Sequence, residues 1–254
     1  MKITFLGTGA ADFLPSLKDT DKYTLSKNIR RSCATLIGEN TLIDCGPHVI
    51  DEIKLLGIDA SKIKNIIITH NHSDHFNKEN AELIAQMSNH DVCLWHGAEC
   101  EMPEINSVKM CPMQIENEYA IGDLKFTALR ANHSRGAVHY SIESDGKRIF
   151  YGCDGAWILL DTFYYMKKRH YDLLILDATV GDYDGDYRLA EHNSIPMIRT
   201  MEKSFRTVKM IDDDSKIVLD HLARTLHKET YEDICKCVEA DGYVVAHDGM
   251  IMEI

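Results

Sequence analysis

The run Asn65-Ile-Ile-Ile-Thr-His70-Asn-His72-Ser-Asp74-His75 constrains this 254-residue chain more than any other feature. Three consecutive Ile read as a strand buried on both faces. That strand runs straight into four potential ligands, His70, His72, Asp74 and His75. Imidazole and carboxylate are the donors that suit zinc and other borderline divalent ions. In an extended segment His70 and His72 point to the same side, so both reach one ion. Asp74 and His75 fall where the chain turns into a helix beginning near Lys78, which aims them at a second position beside the first. A solvated His-rich loop is the bland alternative, but with 13 His in the chain a chance match to this order is rare.

Ions of this kind need four or five donors each, so further ligands must come from elsewhere. Three segments share the same grammar, a strand whose C-terminal end delivers His or Asp. Leu124–Arg130 leads to Asn132-His133-Ser134, Arg148–Gly152 to Cys153-Asp154-Gly155, and Lys216–Leu219 to Asp220-His221. Each alone reads equally well as a capping Asp or a satisfied core His. Together with the first cluster they read as ligands converging on one pocket.

Short strand-like runs recur along the chain, among them Lys2–Leu6, Cys33–Ile37, Thr41–Asp44, Val92–His96, Val138–Glu143, Leu173–Asp177 and Tyr243–His247. Helical patterns lie between them. His48–Leu56 places Val49, Ile53 and Leu56 on one face, and Glu79–Met87 places Leu83, Ile84 and Met87 together; two more lie around Ile195–Phe205 and Glu229–Val238. Asn40-Thr41, Asp145-Gly146 and Asp248-Gly249 read as hairpin turns. This order suits two packed sheets flanked by helices, an α/β (α+β) fold, better than a simple alternating parallel sheet. With five Pro and no Gly/Ser-rich linker, residues 1–254 are expected to form a single domain. The polar stretch Ala11–Arg31 lacks periodicity and is expected to be a loop beside something functional.

The formal net charge of −12 argues against long nucleic acids, whose phosphates are held mainly by clustered Lys and Arg. It leaves room for a small anion at a locally positive site. No apolar run approaches 18 residues, so no membrane span is expected. The start, Met1–Gly9, reads as a strand and a Gly turn, too short in its apolar part for a signal peptide; a soluble, cytoplasmic protein is expected. Of eight Cys, Cys33, Cys45, Cys93 and Cys153 lie in apolar runs and are expected to be reduced and buried. Cys235 and Cys237, two apart on a helical pattern, do not face each other and are not expected to bind metal.

These residues resemble the metallo-β-lactamase superfamily, whose binuclear site uses a His-x-His-x-Asp-His run, then a His, an Asp and a final His in this order. The resemblance extends from Leu6-Gly7-Thr8-Gly9 to Asp248-Gly249-Met250. It implies a four-layer αββα sandwich with the site at one edge of the two sheets. It implies that His70, His72 and His133 bind one metal, that Asp74, His75 and His221 bind the other, and that Asp154 bridges them. Asp44, in Leu42-Ile43-Asp44-Cys45-Gly46, matches the residue that orients a ligand imidazole. Within the superfamily the chain looks most like the PhnP-type cyclic phosphodiesterases, relatives of tRNase Z. The features that carry this are the Gly-Thr-Gly start, Asn132-His133-Ser134, the Asp177 strand end and Glu191-His192-Asn193 before a helix. In that subgroup a His at the position of His192 serves the phosphate chemistry. Some members bind an extra zinc through a Cys-rich insertion in the early loop; Ala11–Ser32 has no Cys, so none is expected here.

The resemblance therefore implies a metal-dependent phosphodiesterase with two divalent ions, Zn²⁺ or Mn²⁺, with Fe²⁺ also compatible with nitrogen and oxygen donors. A metal-bridging hydroxide would attack a small, cyclic phosphate ester. His192 would protonate the leaving alkoxide, and Asp74 would share protons with the hydroxide. A small phosphate-containing substrate is the expected partner, with no membrane and no long nucleic acid; a homodimer is left open. Arg135, Arg188 and Arg224 lie near site segments, but each reads equally as an ordinary surface Arg. His48 is read as a helix-proximal neighbour of the Asp44 turn, and His96, His139, His227 and His247 as structural. The alternatives are a tRNase Z-like RNA 3′-processing endonuclease, thioester or lactam hydrolysis on the same site, and a non-catalytic metal-binding protein. The first would need a basic surface and a projecting arm, whereas Asp154 to Asp177 holds a compact helical pattern, Trp157–His170.

Overall fold

A computed structural model describes residues 1–12, 24–184, 186–228 and 230–254. Most of the expected Ala11–Arg31 loop lies outside these residues.

The described strands form two seven-stranded mixed sheets. The first has the order β14-β1-β2-β3-β4-β5-β6, with β1 Lys2–Gly7, β2 Ala34–Ile37, β3 Thr41–Ile43, β4 Asn65–Ile68, β5 Cys93–Gly97, β6 Lys109–Met113 and β14 Ile251–Glu253. The second has the order β13-β12-β11-β10-β9-β8-β7, with β7 Glu118–Ile121, β8 Leu124–Arg130, β9 Val138–Ser144, β10 Lys147–Gly152, β11 Leu173–Asp177, β12 Lys216–Asp220 and β13 Val244–Val245. Five helices, α1 Val49–Leu55, α2 Lys78–Met87, α3 Leu160–Met166, α4 Ile195–Thr207 and α5 Tyr231–Val238, complete the described elements longer than one turn.

Side-chain alternation sorts the core into three slabs. Ile3, Phe5, Ile43 and Ile67 of the first sheet meet Phe126, Tyr140, Ile149, Leu173 and Val218 of the second. On the outer face of the first sheet, Leu42, Ile66 and Ile68 pack under Val49, Ile53 and Ile84 of α1 and α2. On the outer face of the second, Leu174, Leu176 and Ile217 pack under Ile198, Phe205 and Ile234 of α4 and α5. Strands such as β4 and β11 are thus buried on both faces, which is why they read as unbroken apolar runs. Each side chain so buried contributes roughly 1.5–3 kcal/mol. The result is the expected helix–sheet–sheet–helix layering.

Several local expectations are corrected. Leu83 and Met87 of α2 are exposed, because the helix faces the sheet through Ala81 and Ile84 instead. The Asp248-Gly249 turn is not a hairpin: β13 pairs with β12 and β14 with β1, so the turn carries the chain from one sheet to the other. The helix of the Trp157–His170 pattern is shorter, Leu160–Met166. Cys93 is only half-buried, whereas Cys100 joins Cys33, Cys45 and Cys153 in the interior. No described helix is long and apolar enough to cross a membrane.

Candidate metal centre

Strand direction gathers the site. The strands β3 and β4 run parallel in the first sheet, as do β10, β11 and β12 in the second. Strand β8 shares the direction of β10, because both are antiparallel to β9. Asp44, His70–His75, His133, Asp154 and His221 follow the C-terminal ends of these strands and Asp177 closes β11, so they meet at one edge of the sandwich.

All seven candidate ligands come together there. Donor atoms of His70, His72 and His133 form one cluster, and those of Asp74, His75 and His221 form another. Asp154 stands between them. Its Oδ2 lies 3.9 Å from His70 Nε2, 3.5 Å from His133 Nε2, 3.6 Å from His75 Nε2 and 3.5 Å from His221 Nε2. Asp74 Oδ2 is 3.5 Å from His75 Nε2 and 3.4 Å from His221 Nε2. Two donors of one tetrahedral ion, each about 2.0–2.1 Å from it, are spaced about 3.3 Å apart, close to these separations.

The far nitrogens of the imidazoles are fixed by the surrounding fold. Asp44 Oδ2 accepts from His75 Nδ1 at 2.8 Å. Thr69 Oγ1 lies 2.9 Å from both Asp44 oxygens and 3.0 Å from His70 Nδ1. Its single proton goes to the carboxylate, so it accepts Nδ1–H of His70. Thr179 Oγ1 donates to the His221 carbonyl at 2.8 Å and accepts from His221 Nδ1 at 2.7 Å. The Glu191 carbonyl accepts from His133 Nδ1 at 3.1 Å. Each of these four rings therefore turns its Nε2 lone pair inward, the arrangement that second partners impose on metal ligands. His72 instead brings Nδ1 to within 3.1 Å of His133 Nε2.

This donor set fits divalent cations. His75 Nε2 and His221 Nε2 face each other at 3.0 Å, and His70 Nε2 is buried with no hydrogen-bond partner. Inward lone pairs at this spacing need a proton or a cation between them. Protons compete for the same positions. Burial pushes the His75 and His221 imidazoles down, but Asp74 and Asp44 around His75, and Asp154 beside His221, outweigh it and hold both above the usual range. Burial would likewise raise Asp74 and Asp154, yet the surrounding imidazoles hold both below the usual carboxylate range. Burial dominates at His70, which is held well down.

Asp44 and His221 both adopt left-handed backbone, with φ of 60° and 55°. Such residues cost roughly 1–2 kcal/mol each and persist where the surroundings over-determine them. The bonds of Asp44 to Thr69 and His75, and of His221 to Thr179, supply that determination.

His192 lies at the same edge. Its Nδ1 is 2.6 Å from Asp154 Oδ1 and 2.9 Å from Asp177 Oδ2. Burial would lower its pKa, but the two carboxylates hold it up at about 11. With Nδ1–H donated to Asp177 Oδ2, the nitrogen of His192 left free of that bond is Nε2. Its ring stacks on His221 at 5.6 Å between centroids.

Asp177, Thr69, Thr179 and the Glu191 carbonyl were not among the candidates drawn from the sequence. Asp177 carried the available signal, a carboxylate ending a buried strand like Asp44 and Asp220. His139 is also nearer the centre than its structural reading suggested, with Nε2 3.1 Å from the Asp154 carbonyl. His48 caps the approach to α1, where its Nδ1 accepts from Ser32 N at 3.1 Å.

A family model described as a Beta-lactamase superfamily domain matches residues 39–217, well over half of the sequence. The chain belongs to the metallo-β-lactamase superfamily. The fold agrees. The metallo-β-lactamase fold protein YhfI from Bacillus subtilis has a TM-score of 0.74 at 18% identity, covering 99% of each chain. Zn²⁺-bound PqqB from Methylobacterium extorquens has a TM-score of 0.73 at 16% identity over the full length of both. Human tRNase Z, short form, has a TM-score of 0.69 at 20% identity, covering 100% of this chain and 99% of that one. A ribonuclease Z from Methanococcus maripaludis is 43% identical over 75 residues, which is 30% of this chain and only 21% of that relative. Superfamily membership implies divalent metal ions, and the paired His/Asp clusters are where this member can hold them.

Proposed function

We propose that the protein is a binuclear metal-dependent phosphodiesterase acting on a small, cyclic phosphate ester. His70, His72 and His133 would hold one divalent ion and Asp74, His75 and His221 the other, with Asp154 shared. Paired ions, Zn²⁺ or Mn²⁺ with Fe²⁺ also compatible, supply Lewis acidity toward phosphoryl oxygens and acidify a shared water. The observation that carries the reading is His192 poised between Asp154 and Asp177 beside both donor clusters. A leaving alkoxide needs a proton, and an imidazole whose protonated form is favoured by two carboxylates is placed here to supply it. Asp177 fixes Nδ1–H, which leaves Nε2–H as the proton that His192 can deliver. Asp74, within 3.4–3.5 Å of two imidazoles, is placed to exchange protons with the attacking water. This arrangement supports the PhnP-like reading over a site that only stores metal.

The ribonuclease Z match favours one second reading, an RNA 3′-processing endonuclease with the same site. The net charge of −12 weighs against it, because a tRNA must be held by clustered cations. The expected partner remains a small phosphate ester, with no membrane and no long nucleic acid; a cytoplasmic, reduced setting suits eight free thiols. The deciding experiment loads the protein with Zn²⁺ or Mn²⁺ and compares bis(p-nitrophenyl) phosphate, a ribonucleoside 2′,3′-cyclic phosphate and a 3′-extended tRNA precursor. Turnover of the first two without the third is expected. Cleavage confined to the precursor would establish the nuclease, and stoichiometric metal without any turnover would establish a binding protein.

A further inference from the structure

A second set of donor side chains lies next to the His/Asp centre, in the interior between the sheets. Cys33 immediately precedes β2 of the first sheet, Cys153 immediately follows β10 of the second, and Asp220 closes β12. All three are fully buried. Cys33 and Cys153 belong to the apolar slab where the two sheets meet. Cys153 and Asp220 each directly precede a candidate ligand of the first centre, Asp154 and His221.

Their spacing is that of ligands on one ion. Cys33 Sγ lies 3.7 Å from Cys153 Sγ and 3.5 Å from Asp220 Oδ2, and the donor atoms of the three residues form a single group. Two thiolates, each about 2.3 Å from a tetrahedral ion, stand about 3.8 Å apart, and a thiolate and a carboxylate oxygen about 3.5 Å. Tyr151 Oη, 3.7 Å from Cys33 Sγ, is the neighbouring fourth donor. The chain in which Cys153 S–H donates to Cys33 and Cys33 S–H to Asp220 is the protonated form of the same donor set, and an ion takes the place of both protons. Charge points the same way. Among the described residues Asp220 forms no ion pair; its oxygens meet only the His221 N–H and the Cys33 thiol, a costly state for a carboxylate in an apolar slab. Arg30 is near enough for Asp220 to feel its charge, and its Nη2 is buried with no acceptor. Two thiolates and a carboxylate around a dication leave one negative charge, which that guanidinium offsets.

We propose that Cys33, Cys153 and Asp220 form a third, thiolate-rich metal site that takes Zn²⁺ or a divalent ion of similar softness. Its role is structural: it clamps the segment before β2 to the two strand ends that carry Asp154 and His221. Thiolates select zinc-like ions, whereas Mn²⁺ prefers oxygen donors, so Mn²⁺ fills the His/Asp centre alone. The site does not depend on the phosphodiesterase reading.

The test reconstitutes the full chain with Co²⁺ under reducing conditions, because a thiolate on cobalt gives a charge-transfer absorption in the near ultraviolet that His and Asp ligands do not. The parent is expected to bind three Co²⁺ and to show that band, and to bind two ions when loaded with Mn²⁺. Cys153→Ala, which leaves the Cys33–Asp220 contact in place, should bind two Co²⁺ and lose the band. Cys111→Ser, which removes a half-buried thiol beside Cys93, should keep both the third ion and the band. Two Co²⁺ without a thiolate band in the parent overturns the proposal, and so does a band that survives Cys153→Ala but vanishes in Cys111→Ser. Should Cys153→Ala fail to fold, the count and the band of the parent, compared with Cys111→Ser, still decide. Turnover of phosphate esters is measured separately, and its failure would remove the phosphodiesterase reading without touching the third site.

Discussion

Asp177 Oδ2 accepts a hydrogen bond from Nδ1 of His192 at 2.9 Å, and that bond decides which ring nitrogen is left free. His192→Ala is therefore expected to lower kcat by about 10²-fold or more with metal content intact. Asp177→Asn keeps the size of the side chain but removes the charge that raises the imidazole, so the basic limb of the kcat–pH profile should move to lower pH. Steady-state kinetics over pH 6–10 with parallel elemental analysis checks both. Loss of metal in either variant would make His192 a structural residue.

Replacing a ligand should remove an ion, not merely slow the reaction. Native mass spectrometry of the Mn²⁺-loaded protein is expected to find two divalent ions per chain in the parent, and fewer than two in His70→Ala and His221→Ala. Chelation should abolish turnover, and Zn²⁺ or Mn²⁺ should restore it. Retention of both ions by both variants would contradict the assignment of the seven donors.

Metal affinity should rise with pH. Because His75 and His221 are held above the usual imidazole range, protons occupy their inward lone pairs as pH falls, and an ion must displace them. Competition with a chelator of known affinity at pH 6 and pH 8 should give the tighter Kd at pH 8. Calorimetry in buffers of different ionisation enthalpy should show proton release on binding. Affinity independent of pH would show that these imidazoles are already free.

Asp44→Asn should weaken metal binding by about 10–100-fold without changing the number of sites, since Asp44 acts only through His75 and Thr69. Rescue by Asp44→Glu is not expected, because both oxygens already have partners at fixed distances. A chelator titration of the variant gives the answer directly.

Asp248 ties the chain's two ends into the core. Its oxygens accept from Thr8 N, Thr8 Oγ1, Arg31 N and Arg31 Nη1 at 2.9–3.2 Å. Asp248→Ala leaves buried Arg30 and Arg31 without this carboxylate and should cost about 3–5 kcal/mol in chemical denaturation. Burial pushes the Asp248 carboxyl up to about 6 despite both Arg residues. A folded pKa above the unfolded value of 3.8 means that its stabilising contribution is complete below pH 3.8 and is lost as pH rises through 6. The stability gap between parent and Asp248→Ala should accordingly narrow between about pH 4 and pH 6.5 and stay level above that.

The convergence of the candidate ligands was legible because each follows a run of buried residues, where a polar group is costly unless it is partnered. The four-layer architecture followed from strands that are apolar on both faces, such as Ile66–Ile68. What stayed hidden was pairwise. Nothing in the local sequence couples Asp177 to His192 or Thr179 to His221, since those bonds exist only once β11, β12 and the segment before α4 are side by side. The edge strands β6, β7 and β14 also escaped, because they are short and carry exposed residues such as Lys109, Glu118 and Ile251, which leaves little buried apolar sequence to read. The exposure of Leu83 and Met87 shows the limit of periodicity in a ten-residue helix, where a shift of one position selects a different face.

The donors come from both halves of the sandwich: His70 to His75 follow the first sheet, whereas His133, Asp154 and His221 follow the second. Divalent ions seated among them would rivet the two sheets at one rim. Loading the protein should therefore slow its unfolding as well as switch on its chemistry, and the opposite rim, where the described residues offer no comparable donor cluster, is where the sandwich should come apart first.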